Sequence, residues 1–155
     1  MIKRKNAREI EIMRHAGKIA ALALKEAGKL VTVGATTRSI NRMLHNFILS
    51  HGAVPAFLGY NGYPASVCIS VNEQVIHGVP SSRKLMNGDV VSIDIGTIKN
   101  GYVGDCAATF IAGSGSIESE RLIRVTRECF FESLKFARFG CRVSDISRAI
   151  QNHAE

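Results

Sequence analysis

The chain has 155 residues, of which 46% are hydrophobic and 21% are charged, and its formal net charge is +7. That length fits one domain with a buried core, and the composition is typical of a soluble globular protein. No apolar run is long enough to span a membrane, and Met1–Arg4 leads into a charged segment without the apolar core of a signal peptide. We therefore expect a cytoplasmic protein with no membrane partner.

The net positive charge lies near the N-terminus. Residues 1–42 contain ten Lys or Arg and three Glu, whereas the remaining residues contain ten basic and ten acidic side chains. Such charge usually forms a solvated helix face, and the alternative is a patch that binds nucleic acid or the ribosome surface. The segment has no aromatic residue for base stacking, which argues against a protein that binds single strands.

The four cysteines form no C-x-x-C pair and no Cys/His zinc pattern. In a cytoplasmic chain they are most simply reduced thiols.

Two amphipathic helices are predicted first, because apolar residues recur at helical spacing. One covers Asn6–Lys29, where Asn6 and Glu9 form a capping box, and the other covers Thr36–Ser50, ended by Gly52. A loop follows at Ala53–Tyr63.

Strands and tight loops occupy the middle of the chain. Ser66–Asn72 alternates as a strand does, and His77–Pro80 reads HGVP, in which glycine permits a tight backbone and proline stiffens the exit. Arg83–Asp89 is a polar loop that leads into a hairpin. Its strands, Val90–Ile95 and Tyr102–Ile111, flank the Asn-Gly pair typical of a type I′ turn.

The hairpin places two carboxylates on one face. With Asn100-Gly101 as the turn, Asp94 faces Ala107 and Asp105 is its diagonal neighbour, at a Cα separation of about 7–8 Å. Such a pair can hold two divalent cations about 3.5–4 Å apart. The alternative is a pair of solvated strand aspartates near a turn.

The C-terminal part repeats the beginning. Gly113–Ser116 is a small-residue linker, a third helix covers Ser119 to about Arg138, and a fourth starts near Val143 or Ser144. Val33–Asn46 aligns with Phe139–Asn152 at an offset of 106 with four identities. The chain thus reads as two helices, strands, and two more helices.

Several motifs resemble type I methionine aminopeptidases. D-x-G at Asp94–Gly96, N-G-Y at Asn100–Tyr102 and then Asp105 resemble the metal-binding hairpin of that family. The resemblance continues over essentially the whole chain in three further stretches, Arg8–Ala21, Gly59–Glu73 and His77–Pro80.

The resemblance implies an α+β pitta-bread fold, in which two related halves enclose a metal site. Residues 1–112 would be the first half, with two helices and then antiparallel strands that carry the metal hairpin. Residues 113–155 would be a linker and the first two helices of an incomplete second half. We therefore expect a truncated form with impaired activity.

By resemblance, Asp94 and Asp105 are two of five protein ligands to two divalent metal ions, which could be Co, Mn, Fe or Zn. The other three ligands, one His and two Glu, lie in second-half strands that this sequence lacks, as does the glutamate proposed as proton shuttle. We expect weak or absent metal binding by this chain alone.

The resemblance also implies a substrate pocket. His77 would be catalytic and would hydrogen-bond the peptide at the scissile bond. Tyr60, Tyr63 and Cys68 would form the slot for the methionine side chain, because a thioether suits an aromatic-lined apolar site. Phe57 stands at the rim, where many bacterial relatives have cysteine.

Three functions are compatible with these features. The first is metal-dependent removal of the N-terminal methionine from nascent proteins. The second is a non-catalytic pitta-bread module that binds the ribosome, nucleic acid or a protein, and the third is a proline-specific peptidase. Expected partners are nascent peptides, the ribosome through the basic helices, and a second copy through the exposed second-half surface.

Overall fold

The computed structural model describes residues 3–155 and divides into two compact units, Met1–Ser114 and Gly115–Glu155. The first unit packs two helices against an antiparallel sheet, and the second is a pair of helices. Among the described residues, no helix is both long and apolar enough to cross a membrane.

The first two helices begin at the capping residues that the sequence predicts. Helix α1 covers Ala7–Leu30, and the Asn6 side chain accepts a hydrogen bond from the Glu9 backbone N–H at 2.9 Å, while the Glu9 carboxylate accepts from the Asn6 N–H at 2.8 Å. Helix α2 covers Thr37–Ser50 and is capped by Thr36. These bonds satisfy N–H groups that the first turn of a helix leaves without partners.

The sheet is built around one long hairpin. Strand β3, Val90–Lys99, pairs along its whole length with β4, Tyr102–Ile111. On its other side β3 pairs with two short strands, β1 at Val54–Pro55 and β2 at Cys68–Val71. The hairpin register is confirmed, since Asp94 pairs with Ala107.

Two details of the sheet differ from the sequence prediction. Strand β1 lies inside the segment predicted as a loop, because Val54 and Pro55 pair with the far end of a β3 that extends to Lys99. Strand β2 is shorter than the predicted Ser66–Asn72 at both ends. The Ser66 and Val67 N–H groups bond the Asn41 side chain, and Asn72 has a left-handed backbone with φ of 56° and a side chain that bonds Asp89 and Val90. The Asn72 side chain thus links the end of β2 to Asp89 and to the first residue of β3, Val90.

One face of the hairpin is the core. Helix α1 lies directly on β4 at Gly104, where an added Cβ would lie 2.2 Å from the Gly17 nitrogen. This close approach brings α1 down onto the sheet and buries the alternate β3 side chains Val91, Ile93 and Ile95. The opposite face of the hairpin therefore carries its polar residues away from the core.

The second unit is a helical hairpin. Helix α3 covers Ile117–Leu134 and α4 covers Val143–Ala154. The two helices meet where the Cys129 thiol donates to the Ile150 carbonyl at 3.6 Å, and His153 lies 3.1 Å from the Glu128 carboxylate. Helix α3 differs from the predicted Ser119–Arg138 at both ends: it begins at Ile117, where the Ser116 side chain caps it, and it ends at Leu134, after which residues 135–138 form turns.

Candidate metal centre and pocket

Asp94 and Asp105 lie on the polar face of the hairpin, on neighbouring strands. Gly96, two residues beyond Asp94 in β3, pairs with Asp105 in β4, so the two carboxylates are diagonal neighbours. Asp94 is half-buried and Asp105 is exposed. The pattern of side-chain alternation predicted this arrangement correctly.

The carboxyl group of Asp94 is strongly perturbed. Its pKa is raised to about 6, first because burial disfavours the charged form and second because the Asp105 carboxylate repels it and shares a hydrogen bond with it. His77 opposes this rise in pKa, as does a backbone hydrogen bond from Ile95. Such a pair concentrates negative charge at a site where a divalent cation would relieve the repulsion.

The two carboxylates also raise the pKa of neighbouring groups. Burial raises the pKa of the Cys106 thiol to about 11, and Asp105 and Asp94 add to that rise. Burial also raises the pKa of Cys68 and lifts that of Tyr63 well above its ordinary range, with a further contribution from Asp94 in each case. These three side chains therefore stay neutral near pH 7 beside the carboxylates.

A pocket of about 580 Å³ contains every side chain that the sequence singled out. Its lining includes all seven predicted site residues, Phe57, Tyr60, Tyr63, Cys68, His77, Asp94 and Asp105. Cys68 lies directly opposite Asp94 across the β2–β3 pair, so the thiol and the carboxylate occupy the same face. Their roles as metal ligands and substrate contacts stay predictions, while their proximity is a property of the fold.

His77 is positioned by an unusually close backbone contact. It has a left-handed backbone with φ of 57°, and the next residue, Gly78, lies against β2, where a Cβ would come within 2.3 Å of the Ile69 carbonyl oxygen. The Gly78 N–H donates to the Ser70 hydroxyl at 3.0 Å, and its carbonyl accepts from the Tyr63 hydroxyl at 2.9 Å. These contacts attach the His77 loop to both β2 and the pocket wall.

Phe57 depends on a second glycine. A Cβ at Gly96 would lie 2.6 Å from the Phe57 ring and 2.9 Å from the Ala56 Cβ. The missing side chain therefore leaves room for the ring beside Asp94. Tyr60, in a short 3₁₀ turn at Tyr60–Gly62, is 69% exposed and lies at the open side of the pocket.

A polar connection from α2 was missed by the sequence analysis. The Asn41 side-chain oxygen accepts hydrogen bonds from the backbone N–H groups of Ser66 and Val67 at 2.9 and 3.3 Å. Nδ1 of His45 lies 2.7 Å from the Ser66 hydroxyl. Asn41 and His45 are four residues apart on one helix face, which was the one available signal, and they hold the segment between Tyr63 and Cys68.

The donors present fit part of a metal site. Carboxylate oxygens suit divalent cations such as manganese. Two carboxylates, those of Asp94 and Asp105, line the pocket. Within residues 3–155, however, no group of three or more His, Cys, Asp or Glu side chains could hold a metal ion. The described residues therefore supply two carboxylates and leave further coordination positions to other donors.

Known proteins are similar to this chain along nearly its whole length. A profile of metallopeptidase family M24 matches residues 11–155. The chain is 47% identical to the methionine aminopeptidase of Clostridium acetobutylicum and 45% identical to methionine aminopeptidase 1 of Bacillus subtilis, with 100% of this chain and 62% of each relative covered. The chain thus spans about 62% of the length of these curated relatives and matches their N-terminal part.

Solved structures give the same result for the fold. The methionine aminopeptidase of Rickettsia prowazekii superposes with a TM-score of 0.96 at 40% identity, covering 99% of this chain and 62% of that one. A prolidase from Pyrococcus furiosus superposes with a TM-score of 0.86 at 25% identity, covering 96% of this chain and 43% of that one. The expected pitta-bread architecture is confirmed.

Proposed function

This chain belongs to metallopeptidase family M24. We propose that it forms the first half of the active site of a methionine aminopeptidase. The observation that carries this proposal is the convergence of Asp94, Asp105 and His77 in one pocket with the aromatic side chains Phe57 and Tyr63. In the proposed organisation, residues 1–112 are the first pitta-bread half and residues 113–155 are the linker and the first helices of the second.

Asp94 and Asp105 would hold the metal. A divalent cation held there, whether Co, Mn, Fe or Zn, would supply Lewis-acid chemistry for hydrolysis of the peptide bond. Both carboxylates project from paired strands, so their positions are set before a cation binds. Asp94 must lose the proton that its raised pKa favours, so metal binding by this chain should weaken as the pH falls below about 6.

The pocket would bind the substrate's first residue. Phe57, Tyr63 and Cys68 form an apolar wall suited to a methionine thioether. Tyr63 and Cys68 stay neutral near pH 7, so they add no charge beside an apolar side chain. His77 would hydrogen-bond the peptide at the scissile bond, held there by the Gly78 contacts.

The proposed partners follow from that activity and from the charge and apolar residues of the surface. Nascent peptides with N-terminal methionine would be the substrates, in the cytoplasm. The basic residues of α1 and α2 would provide electrostatic contact with the ribosome, and exposed apolar surface would support self-association.

A binding module is the second candidate, favoured by one observation. Residues 1–42 carry the entire excess of positive charge, and most basic side chains of α1 are exposed. A module of this kind would bind RNA with an affinity that falls steeply with salt. It has no use for two carboxylates in a pocket, so loss of Asp94 would leave its binding unchanged.

The decisive experiment is a chimera. This chain replaces the matching 155 residues of Bacillus subtilis methionine aminopeptidase 1, and methionine release from Met-Ala peptides is measured with Mn²⁺. We expect activity that Asp94→Ala abolishes and that Glu73→Gln, a change of an exposed loop carboxylate, leaves intact. A folded chimera that binds Mn²⁺ but releases no methionine would contradict the proposal.

A further inference from the structure

The segment that carries His77 is held at one buried point. Within residues 72–79, Gly78 is the one buried residue, and it directly follows His77. The Ile69 N–H donates to the Gly78 carbonyl at 2.9 Å, which attaches this point to strand β2. The position of the His77 imidazole therefore depends on the hydrogen bonds that hold Gly78.

The Tyr63 hydroxyl bonds the same carbonyl from the side of the pocket. It lies 2.9 Å from the Gly78 carbonyl oxygen and 3.2 Å from the Val67 carbonyl oxygen, and its one proton is shared between these two acceptors. Both acceptors are backbone groups, so the hydroxyl is bonded within the protein, while Tyr63 also lines the pocket. One side chain thus joins the pocket wall to the segment that carries His77.

The backbone of Tyr63 is itself fixed on both sides. Its N–H donates to the Tyr60 carbonyl at 2.9 Å, and its carbonyl accepts from the Gly59 N–H at 2.8 Å. A tyrosine side chain has two torsions, so a backbone held at both of its polar groups leaves the hydroxyl little freedom. The position of the hydroxyl is therefore set before a substrate binds, as the support of a functional group requires.

We propose that the Tyr63 hydroxyl is a positioning group for His77, in addition to the place of the Tyr63 ring in the pocket wall. The hydroxyl holds the Gly78 carbonyl, and Gly78 in turn limits where the neighbouring imidazole can lie. A small displacement of a group that contacts the scissile bond lowers turnover more than it weakens substrate binding. The kinetic consequence rests on the proposed function, whereas the positioning rests on the contacts of Tyr63 and Gly78.

The first test removes the hydroxyl and keeps the ring. The matched control for Tyr63→Phe is Tyr102→Phe, which removes a hydroxyl that bonds Glu9 at 2.9 Å, and neither Tyr102 nor Glu9 lines the pocket. In the chimera with the Bacillus subtilis relative, Tyr63→Phe should lower kcat for Met-Ala peptides by about five- to tenfold and change KM by less than about twofold. Tyr102→Phe should change neither constant. An unchanged kcat in Tyr63→Phe, with or without a raised KM, would overturn the proposal.

The second test asks whether the hydroxyl acts through His77. Two groups that work as a unit have effects that do not add, and a double-mutant cycle measures this directly. In a His77→Ala chimera, Tyr63→Phe should lower the residual kcat by less than about twofold, because the group that the hydroxyl positions is gone. The same five- to tenfold loss in both backgrounds would show an effect independent of His77 and would overturn the proposal.

A third measurement needs neither metal nor substrate, so it separates this inference from the proposed function. In the 155-residue chain labelled with ¹³C at histidine Cε1, His77→Ala identifies the His77 signal among the five histidines. We expect Tyr63→Phe to shift or broaden that signal and to speed hydrogen exchange at the Ile69 amide, and Tyr102→Phe to leave both unchanged. An unchanged signal with unchanged exchange would overturn the positioning even when the chimera is active. An inactive chimera together with a His77 signal that responds to Tyr63→Phe would contradict the proposed function and support the positioning.

Discussion

Gly78 shows how one missing side chain positions a neighbouring pocket residue, His77. Its backbone lies close against Ile69, and its N–H and C=O groups bond Ser70 of β2 and Tyr63 of the pocket wall. The neighbouring His77 then adopts a left-handed backbone, which is uncommon for a residue with a side chain and persists where the surroundings enforce it. The histidine is thus held by its neighbours' contacts.

We predict that Gly78→Ala destabilises the chain and displaces His77. The new Cβ would lie 2.3 Å from the Ile69 oxygen, so backbone must move, at a cost of about 1–3 kcal/mol. Urea unfolding measures the loss. The matched control is Gly17→Ala in α1, where a Cβ meets nothing within 4 Å; it should be neutral or stabilise by up to about 1 kcal/mol. Equal stability of the two variants would contradict this account.

At the scale of elements, α2 fixes the segment that forms the pocket wall. Asn41 satisfies two consecutive N–H groups at the entry to β2, and the Ser66 hydroxyl is within hydrogen-bond distance of His45. Ser66 is buried, so these polar groups have little access to water. Tyr63 and Cys68 flank this anchored segment, and the helix thereby orients both pocket residues.

We predict that Asn41→Ala weakens this attachment. Two backbone N–H groups would lose their acceptor, which costs about 1–3 kcal/mol when such groups are poorly hydrated. Urea unfolding measures the global loss, and hydrogen exchange at the Val67 amide measures the local one. Asn41→Asp is the matched control because it keeps an acceptor oxygen in the same place. Unchanged exchange at Val67 in Asn41→Ala would show that the bond has no anchoring role.

For the whole molecule, the central feature is a pocket that contains two neighbouring carboxylates, in a chain that spans about 62% of its relatives' length. In the proposed metal site, Asp94 and Asp105 on paired strands would provide part of a coordination set. Positioning and water activation both depend on a full set. If Asp94 and Asp105 are the only ligands that these 155 residues supply, their affinity for a divalent cation is expected to be weak.

We predict that the 155-residue chain at low concentration binds Mn²⁺ weakly and releases methionine slowly. Its rate should be at least about 10²-fold below that of the Bacillus subtilis relative, because a bound water is neither fully held nor oriented. Calorimetry measures the affinity and a Met-Ala peptide assay measures the rate. Tight stoichiometric binding by the monomer, or a rate close to that of the relative, would reveal ligands beyond Asp94 and Asp105.

The sequence by itself determined the local structure of this protein. Asn6 and Thr36 marked the helix starts, and the Asn100-Gly101 turn determined which side of the hairpin carries Asp94 and Asp105. These features depend on near neighbours in the chain, whose hydrogen bonds and side-chain periods are visible in the order of residues. The family motifs then indicated the remaining pocket residues.

Only the tertiary structure decided how distant segments meet. Strand β1 exists because Val54 and Pro55 reach the far end of β3, a pairing that two residues in a loop-like segment cannot signal. The close approach of Gly78 to Ile69 and the bonds of Asn41 to the start of β2 likewise join segments well apart in sequence. Such contacts depend on the packing of the whole sheet against its helices, because packing sets which backbone groups come within hydrogen-bond distance.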